Sequence, residues 1–210
     1  MTGEKQDFIE RYAVPRETIH NLSTYETILK DWNNKFNLIA ESTLPHIWSR
    51  HFADSAQLLL HIPENAKTLA DMGSGAGFPG LVLAVMRPSL QITLIESIGK
   101  KADFLRAVTD AFKPANVTVR RERVENIKDL KADIVTARAM KALPELLKYA
   151  HRLLAKDGIC VFPKGKNAPE ELTEAKKNWT FKAETHPSLT SAEGRILVLS
   201  DLSWKARRKG

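Results

Sequence analysis

The chain has 210 residues, 43% of them hydrophobic, which suffices for one domain with a sizeable core and is short for two. No run of about eighteen apolar residues occurs, and mixed charge from Met1 to His20 stands where a signal peptide needs an apolar segment, so a soluble, cytoplasmic protein is expected; a monomer is the default expectation, and the sequence leaves oligomeric state open. Of the net charge of +7, four positive charges come from Lys205, Arg207, Arg208 and Lys209; such a tail either draws a polyanion through counterion release or simply keeps the protein soluble.

In chain order, Ser23 and Glu26 have capping-box spacing, and Ile28, Leu29, Trp32 and Phe36 follow at helical intervals. A second helix is predicted over Leu44 to Leu60, with Thr43 as its cap and Pro45 in its first turn. From Thr68 short apolar runs alternate with helical stretches, the pattern of βαβ units feeding a parallel sheet. The predicted strands are Thr68 to Met72, Ile92 to Glu96, Val117 to Val119, Asp133 to Ala137 and Gly158 to Phe162. Phe104, Leu105, Val108 and Phe112 trace one helix face; Leu143, Leu146, Leu147, Ala150, Leu153 and Leu154 trace another, closed by Gly158. Phe181 to Glu184 and Arg195 to Leu199 lack a connecting helix long enough for parallel neighbours, and are expected to pair antiparallel at or beside one sheet edge. Organisation is thus one domain: helical lead-in 1–66, Rossmann-like core 67–202 and basic tail 203–210. The lone Cys160, inside an apolar run, excludes an intrachain disulfide and reads as a small buried residue.

The densest local signal is the stretch from Asp71 to Gly80, between a predicted strand and the helical run Leu81 to Met86. Four glycines in eight residues exceed what one tight turn requires, and a glycine-rich turn into a helix lets a nucleotide-like cofactor approach the backbone. Gly75, Gly77 and Gly80 formally satisfy the dinucleotide fingerprint, with Glu96 as the downstream acid, so an NAD-dependent dehydrogenase competes. Asp71 discriminates, because a carboxylate there repels a pyrophosphate and favours the ammonium and sulfonium of S-adenosylmethionine. Its plain alternative is a first-turn acid serving helix N-terminal amides. Glu96 can accept the hydroxyls of a ribose, and Val124 with Glu125 can cover and meet an adenine, although that run alone is only a solvated loop. Arg138 follows the fourth strand and should point toward the ligand, or else pair with a neighbouring acid. No metal motif such as HExxH and no GxSxG elbow is present, so neither a bound metal nor a serine hydrolase is expected.

Six stretches together resemble one family: Trp32 to Leu38, Arg50 to Ser55, Asp71 to Gly80, Glu96 to Lys101, Arg123 to Glu125, and Ala137 to Ala139. In order and spacing the chain resembles, over nearly its whole length, the bacterial 16S ribosomal RNA guanine-N7 methyltransferases, RsmG, formerly GidB. The resemblance implies an α/β class I methyltransferase fold, a mostly parallel seven-stranded sheet preceded by helices, with S-adenosylmethionine as cofactor. It implies cofactor contacts at Gly73, Phe78, Val124, Glu125 and Arg138, with Glu96 in the ribose position where many members carry aspartate; Asp71 and Gly75 join them from the loop reading. The partner implied is 16S rRNA in the small ribosomal subunit, with Arg50, His51, Lys100, Lys101, Lys205, Arg207, Arg208 and Lys209 as candidate contacts. For Arg50 and His51 helix packing or capping competes with that role. Guanine N7 carries a free lone pair, so positioning is expected to carry the reaction and no catalytic base is assigned. A non-catalytic ribosome-binding module that kept a glycine loop remains a third reading.

Overall fold

The computed structural model describes residues 3–205. Seven strands form one sheet: β1 (Thr68–Met72), β2 (Gln91–Ile95), β3 (Val117–Arg120), β4 (Ala132–Thr136), β5 (Leu154–Lys164), β6 (Trp179–Pro187) and β7 (Arg195–Trp204). Their order is β3-β2-β1-β4-β5-β7-β6, with β1 to β5 parallel and β7 antiparallel to both of its neighbours. Strand order reverses between β1 and β4, so a crevice opens at their carboxyl ends.

Successive side chains alternate across the sheet and divide the core in two. Leu69, Ile92, Leu94, Ile134 and Val161 face α4 (Gly80–Met86), α5 (Gly99–Phe112) and the helical lead-in, whose Phe8, Leu22, Tyr25, Leu29, Trp48 and Phe52 are buried with them. Ala70, Met72, Val135, Cys160 and Phe162 face α6 (Leu143–Leu153) and α7 (Ala168–Ala175). Burial pushes the Cys160 thiol up, in keeping with an inert core residue.

The expected antiparallel pairing of the last two strands is present, with β7 inserted between β5 and β6. Several local expectations need correction. The lead-in begins with α1 (Gly3–Tyr12) and α2 (Arg16–Asn33), so Ser23 lies mid-helix and its hydroxyl donates to Ile19 O, 2.6 Å away, rather than capping; Phe36 falls beyond the helix end. The second helix is a continuous winding of changing pitch: 3-10 over Glu41–His46, π over Trp48–Ala53, α3 over Asp54–Ala56 and 3-10 over Gln57–His61. Thr43 sits inside it and donates to Ala40 O instead of capping. Helix α6 stops at Leu153 and β5 begins at Leu154, so Gly158 ends no helix. Gly158 lies where β4–β5 pairing shifts register, and a Cβ there would sit 3.0 to 3.1 Å from the carbonyls of Ala132, Asp133 and Ala155. Strand β7 runs to Trp204, taking in the first two residues of the expected basic tail.

Candidate active site

The glycine loop leaves β1 through three residues of positive φ, Gly73 (64°), Gly75 (56°) and Gly77 (88°). A Cβ on Gly77 would lie 2.4 Å from Leu81 Cδ1 and 2.6 Å from the Tyr25 hydroxyl, so both its conformation and its surroundings require glycine. The Tyr25 hydroxyl, fully buried on α2, donates to the carbonyl of Ala76 and ties the lead-in to the loop.

Asp71 is the largest revision to the site. Its parity along β1 matches Leu69, so its side chain points beneath α4 rather than into the crevice, and it is 0% exposed. Oδ1 accepts from the Thr136 hydroxyl at 2.8 Å and Oδ2 from Gly80 N–H at 3.3 Å. This is the first-turn helix role, and Asp71 reaches any ligand only through the field of its charge. Burial raises its carboxyl to about pH 6, against the pull of its hydrogen bonds and of Arg138.

Glu96, directly after β2, accepts from Gly75 N–H (2.9 Å) on Oε2 and from Ile98 N–H (2.7 Å) on Oε1. It thereby clamps the glycine loop to the next one, and each oxygen keeps a lone pair. Beyond it a cavity of about 210 Å³ is bounded by Gly73, Ser97, Val124, Glu125, Met140 and Tyr149. A second cavity, of about 780 Å³, opens between the lead-in and the carboxyl ends of β4 and β5. Arg50, His51, Asp54, Arg138, Lys164 and Glu171 are on its wall; Met140 and Lys141 line both cavities and form the strip between them.

Arg138 is held on three sides: Nη1 reaches Asp54 Oδ2 at 3.3 Å, Nη2 donates to His51 Nδ1 at 3.0 Å, and the guanidinium lies 4.7 Å from the Phe78 ring centre. His51 stacks on the same ring, 4.8 Å between centres and 12° from parallel. Phe78 is therefore the buried floor under Arg138 and His51, and its side chain lines neither cavity. Asp54 was not singled out from the sequence. Its signal is one helical turn of spacing after His51, and it also accepts from Thr190 Oγ1 (2.6 Å) and Gln57 Nε2 (2.9 Å), fixing the β6–β7 loop to the site.

Burial, with Arg138 and Arg50 adding repulsion, pushes His51 down to about 3. Its Nδ1 lone pair faces Arg138, and Nε2–H donates to Thr43 Oγ1 at 2.9 Å. A neutral imidazole with both nitrogens engaged is neither a phosphate-binding cation nor a base, which corrects its place among RNA contacts. Arg50 is exposed at the cavity mouth. Lys100 is exposed at the start of α5 with Nζ 4.5 Å from the Phe36 ring centre, and Lys101 beside it is half-buried. Lys205 donates to Lys176 O; Arg207, Arg208 and Lys209 lie outside the described residues. Among the described residues no group of three His, Cys, Asp or Glu side chains is placed to hold a metal ion, and no helix is long and apolar enough to cross a membrane.

Residues 18–198 match a family model described as "GidB: rRNA small subunit methyltransferase G". The chain is 47% identical to the ribosomal RNA small subunit methyltransferase G of Rhodospirillum centenum, over 97% of this chain and 94% of that one. It is 45% identical to the protein of the same name from Hyphomonas neptunium, over 95% and 96%. In fold it is similar to an O-methyltransferase from Bacillus cereus crystallised with SAH, with a TM-score of 0.60, 16% identity, and coverage of 93% of this chain and 96% of that one.

Proposed function

The chain belongs to the rRNA small subunit methyltransferase G family, and from that premise we propose that it methylates guanine N7 in 16S rRNA of the small subunit. S-adenosylmethionine is the cofactor, and it supplies an electrophilic methyl on a sulfonium. The dehydrogenase reading falls with the family assignment.

One observation carries the reading: two cavities share a wall, Met140–Lys141, at the switch point of the sheet, and the histidine lining the larger one, His51, is held neutral. The residues present fit the cofactor. Gly73, Val124 and Glu125 bound a narrow cleft suited to an adenine, the spare lone pairs of Glu96, the residue before Ser97 on that cleft, suit ribose hydroxyls, and the remaining donors of Arg138, on the wall of the larger cavity, suit a carboxylate. Gly75 serves through its backbone, which the absence of a side chain leaves open. The larger cavity takes the acceptor nucleotide, with exposed Arg50 on its wall as a partner for RNA phosphate, and exposed Lys100, with its neighbour Lys101, adds positive charge at the start of α5 for the same purpose.

Guanine N7 attacks without losing a proton, so the chain has to orient it rather than deprotonate it. Orientation alone contributes up to about 7–11 kcal/mol in favourable cases. The Phe78–Arg138–His51–Asp54 cluster is a rigid floor for that task, every member being fixed by a stack, an ion pair or a hydrogen bond. Such a partner places the enzyme in the cytoplasm.

The test is transfer of tritiated methyl from S-adenosylmethionine to small subunits lacking the modification, followed by mapping of the labelled atom. Label on guanine N7 of 16S rRNA is expected. No transfer, with cofactor binding intact, would favour a non-catalytic ribosome-binding module; label on an exocyclic amine or a ribose hydroxyl would overturn the base-free mechanism.

A further inference from the structure

Guanine is not the only base with a nucleophilic N7: adenine presents the same lone pair, so the chemistry of the transfer does not choose between them. Choice has to come from the opposite edge of the purine. There guanine offers two donors, N1–H and N2–H, where adenine offers the N1 lone pair and no amine at C2. An enzyme that selects guanine therefore needs an acceptor, best a carboxylate oxygen, on the wall of the acceptor cavity.

Two carboxylates, Asp54 and Glu171, line the larger cavity. Both oxygens of Asp54 are engaged, Oδ1 by Thr190 and Gln57 and Oδ2 by Arg138. In Glu171 the load falls on one atom. Oε2 accepts from the backbone N–H of Leu143 at 2.6 Å and from Lys164 Nζ at 2.8 Å, while Oε1 has no protein donor among the described residues. Trp179 Nε1 is the one buried polar side-chain atom without a partner among them, so Oε1 is not sealed in the protein but solvent-accessible, on a side chain that lines the cavity. The side chain is 23% exposed and its Lys164 partner 10%, a partly desolvated pair in which a further hydrogen bond has more effect than at the surface. Lys164 Nζ also donates to Lys141 O at 2.9 Å, which anchors the pair to the strip between the two cavities and leaves one N–H over.

We propose that Glu171 is the residue that selects guanine, its free Oε1 accepting from N1–H and N2–H while N7 faces the cofactor cleft. Lys164 is the positioning residue: it fixes Oε2, turns Oε1 outward, and offers its spare N–H to O6, where adenine carries an amine. The inference rests on the reading that guanine N7 is the target.

Small subunits reconstituted with guanosine or inosine at the mapped position test it, because inosine keeps N7, O6 and N1–H and lacks only the N2 amine. Wild-type enzyme should methylate guanosine with a kcat/KM about ten- to a hundredfold above inosine, the usual size of a hydrogen bond to a charged group. In Glu171→Gln the amide oxygen is claimed by Leu143 N–H and Lys164, so an NH2 donor faces the base in place of an acceptor. Its guanosine-to-inosine ratio should fall toward one while affinity for S-adenosylhomocysteine stays at the wild-type value. A Glu171→Gln enzyme that binds S-adenosylhomocysteine normally and keeps the wild-type ratio would overturn the proposal. So would a wild-type ratio near one, an arm that needs no variant and is decisive if Glu171→Gln fails to fold. Wild-type enzyme that leaves guanosine N7 unmethylated would instead overturn the function on which the proposal stands.

Discussion

Replacing Asp71 by asparagine separates two effects of one buried carboxylate. Burial lifts its carboxyl from an ordinary 3.8 to about 6, so at pH 7.5 the folded protein carries an ionised group at a cost of about 3 kcal/mol. An asparagine of the same shape can accept from Gly80 N–H with its oxygen and donate to the Thr136 hydroxyl, while losing one acceptor. After about 1 kcal/mol for that loss, Asp71→Asn should be more stable than wild type by about 1–3 kcal/mol at pH 7.5. The sign follows from linkage. A carboxyl raised in the folded state is protonated there first, so wild type gains stability as pH falls from about 6 to 3.8, and the advantage of asparagine should vanish across that window. Cofactor affinity should move the other way, because the carboxylate field favours an ammonium and a sulfonium; about tenfold weaker binding of S-adenosylmethionine is expected. Asp71→Ala, which removes the same charge but orphans two buried donors, should be less stable than Asp71→Asn by about 2–4 kcal/mol. Denaturant titration at pH 7.5 and 4.0 and calorimetry with the cofactor give both readouts. An Asp71→Asn protein no more stable than wild type at pH 7.5, or one that binds S-adenosylmethionine normally, would refute the electrostatic argument.

His51, held near 3, has no titration in the working range, so the single-turnover methylation rate at saturating cofactor and RNA should show no break near pH 6.5; His51→Asn should leave that step within about tenfold, and a break that this variant abolishes would reveal a general base. Tyr25→Phe leaves the Ala76 carbonyl without its donor, and chemical denaturation should report a loss of about 1–3 kcal/mol. Deleting residues 205–210 should lower the magnitude of the log–log salt slope of RNA binding by about 0.7–0.9 for each phosphate that the tail neutralises, with cofactor affinity unchanged; an unaltered slope would mean the basic tail serves solubility alone.

The strands and the glycine loop are legible because their signals are local: an apolar run of period two and a cluster of glycines before a helix. The lead-in is legible only as helical. Its pitch passes from 3-10 to π and back within about twenty residues, and a periodicity template with one fixed angle blurs these together. Asp71 shows a position read correctly along the chain and wrongly across it. Its place at the end of β1 is evident, yet only its shared parity with Leu69, under α4, puts the carboxylate behind the loop instead of in front of it. Asp54 and Glu171 stand out less for another reason: most of their partners are set by the fold, Asp54 lying 136 positions from Thr190 and 84 from Arg138, and Glu171 28 from Leu143. Arg138 was legible in both its candidate roles, and the ion pair with Asp54 shows that pairing with an acid and facing the cavity are compatible.

The strip Met140–Lys141 has two sides, and that makes the two cavities thermodynamic partners. It follows Ala139, whose φ of 51° is uncommon for a residue with a side chain, so the turn is held by its surroundings and not by its own preference. Any adjustment of the strip toward a ligand on one side changes the wall seen from the other. Whatever free energy one occupant contributes to the affinity of the second is returned equally by the second to the first. Retention of a demethylated cofactor would then depend on the nucleotide next door, so that the order of arrival and departure is written into a two-residue partition.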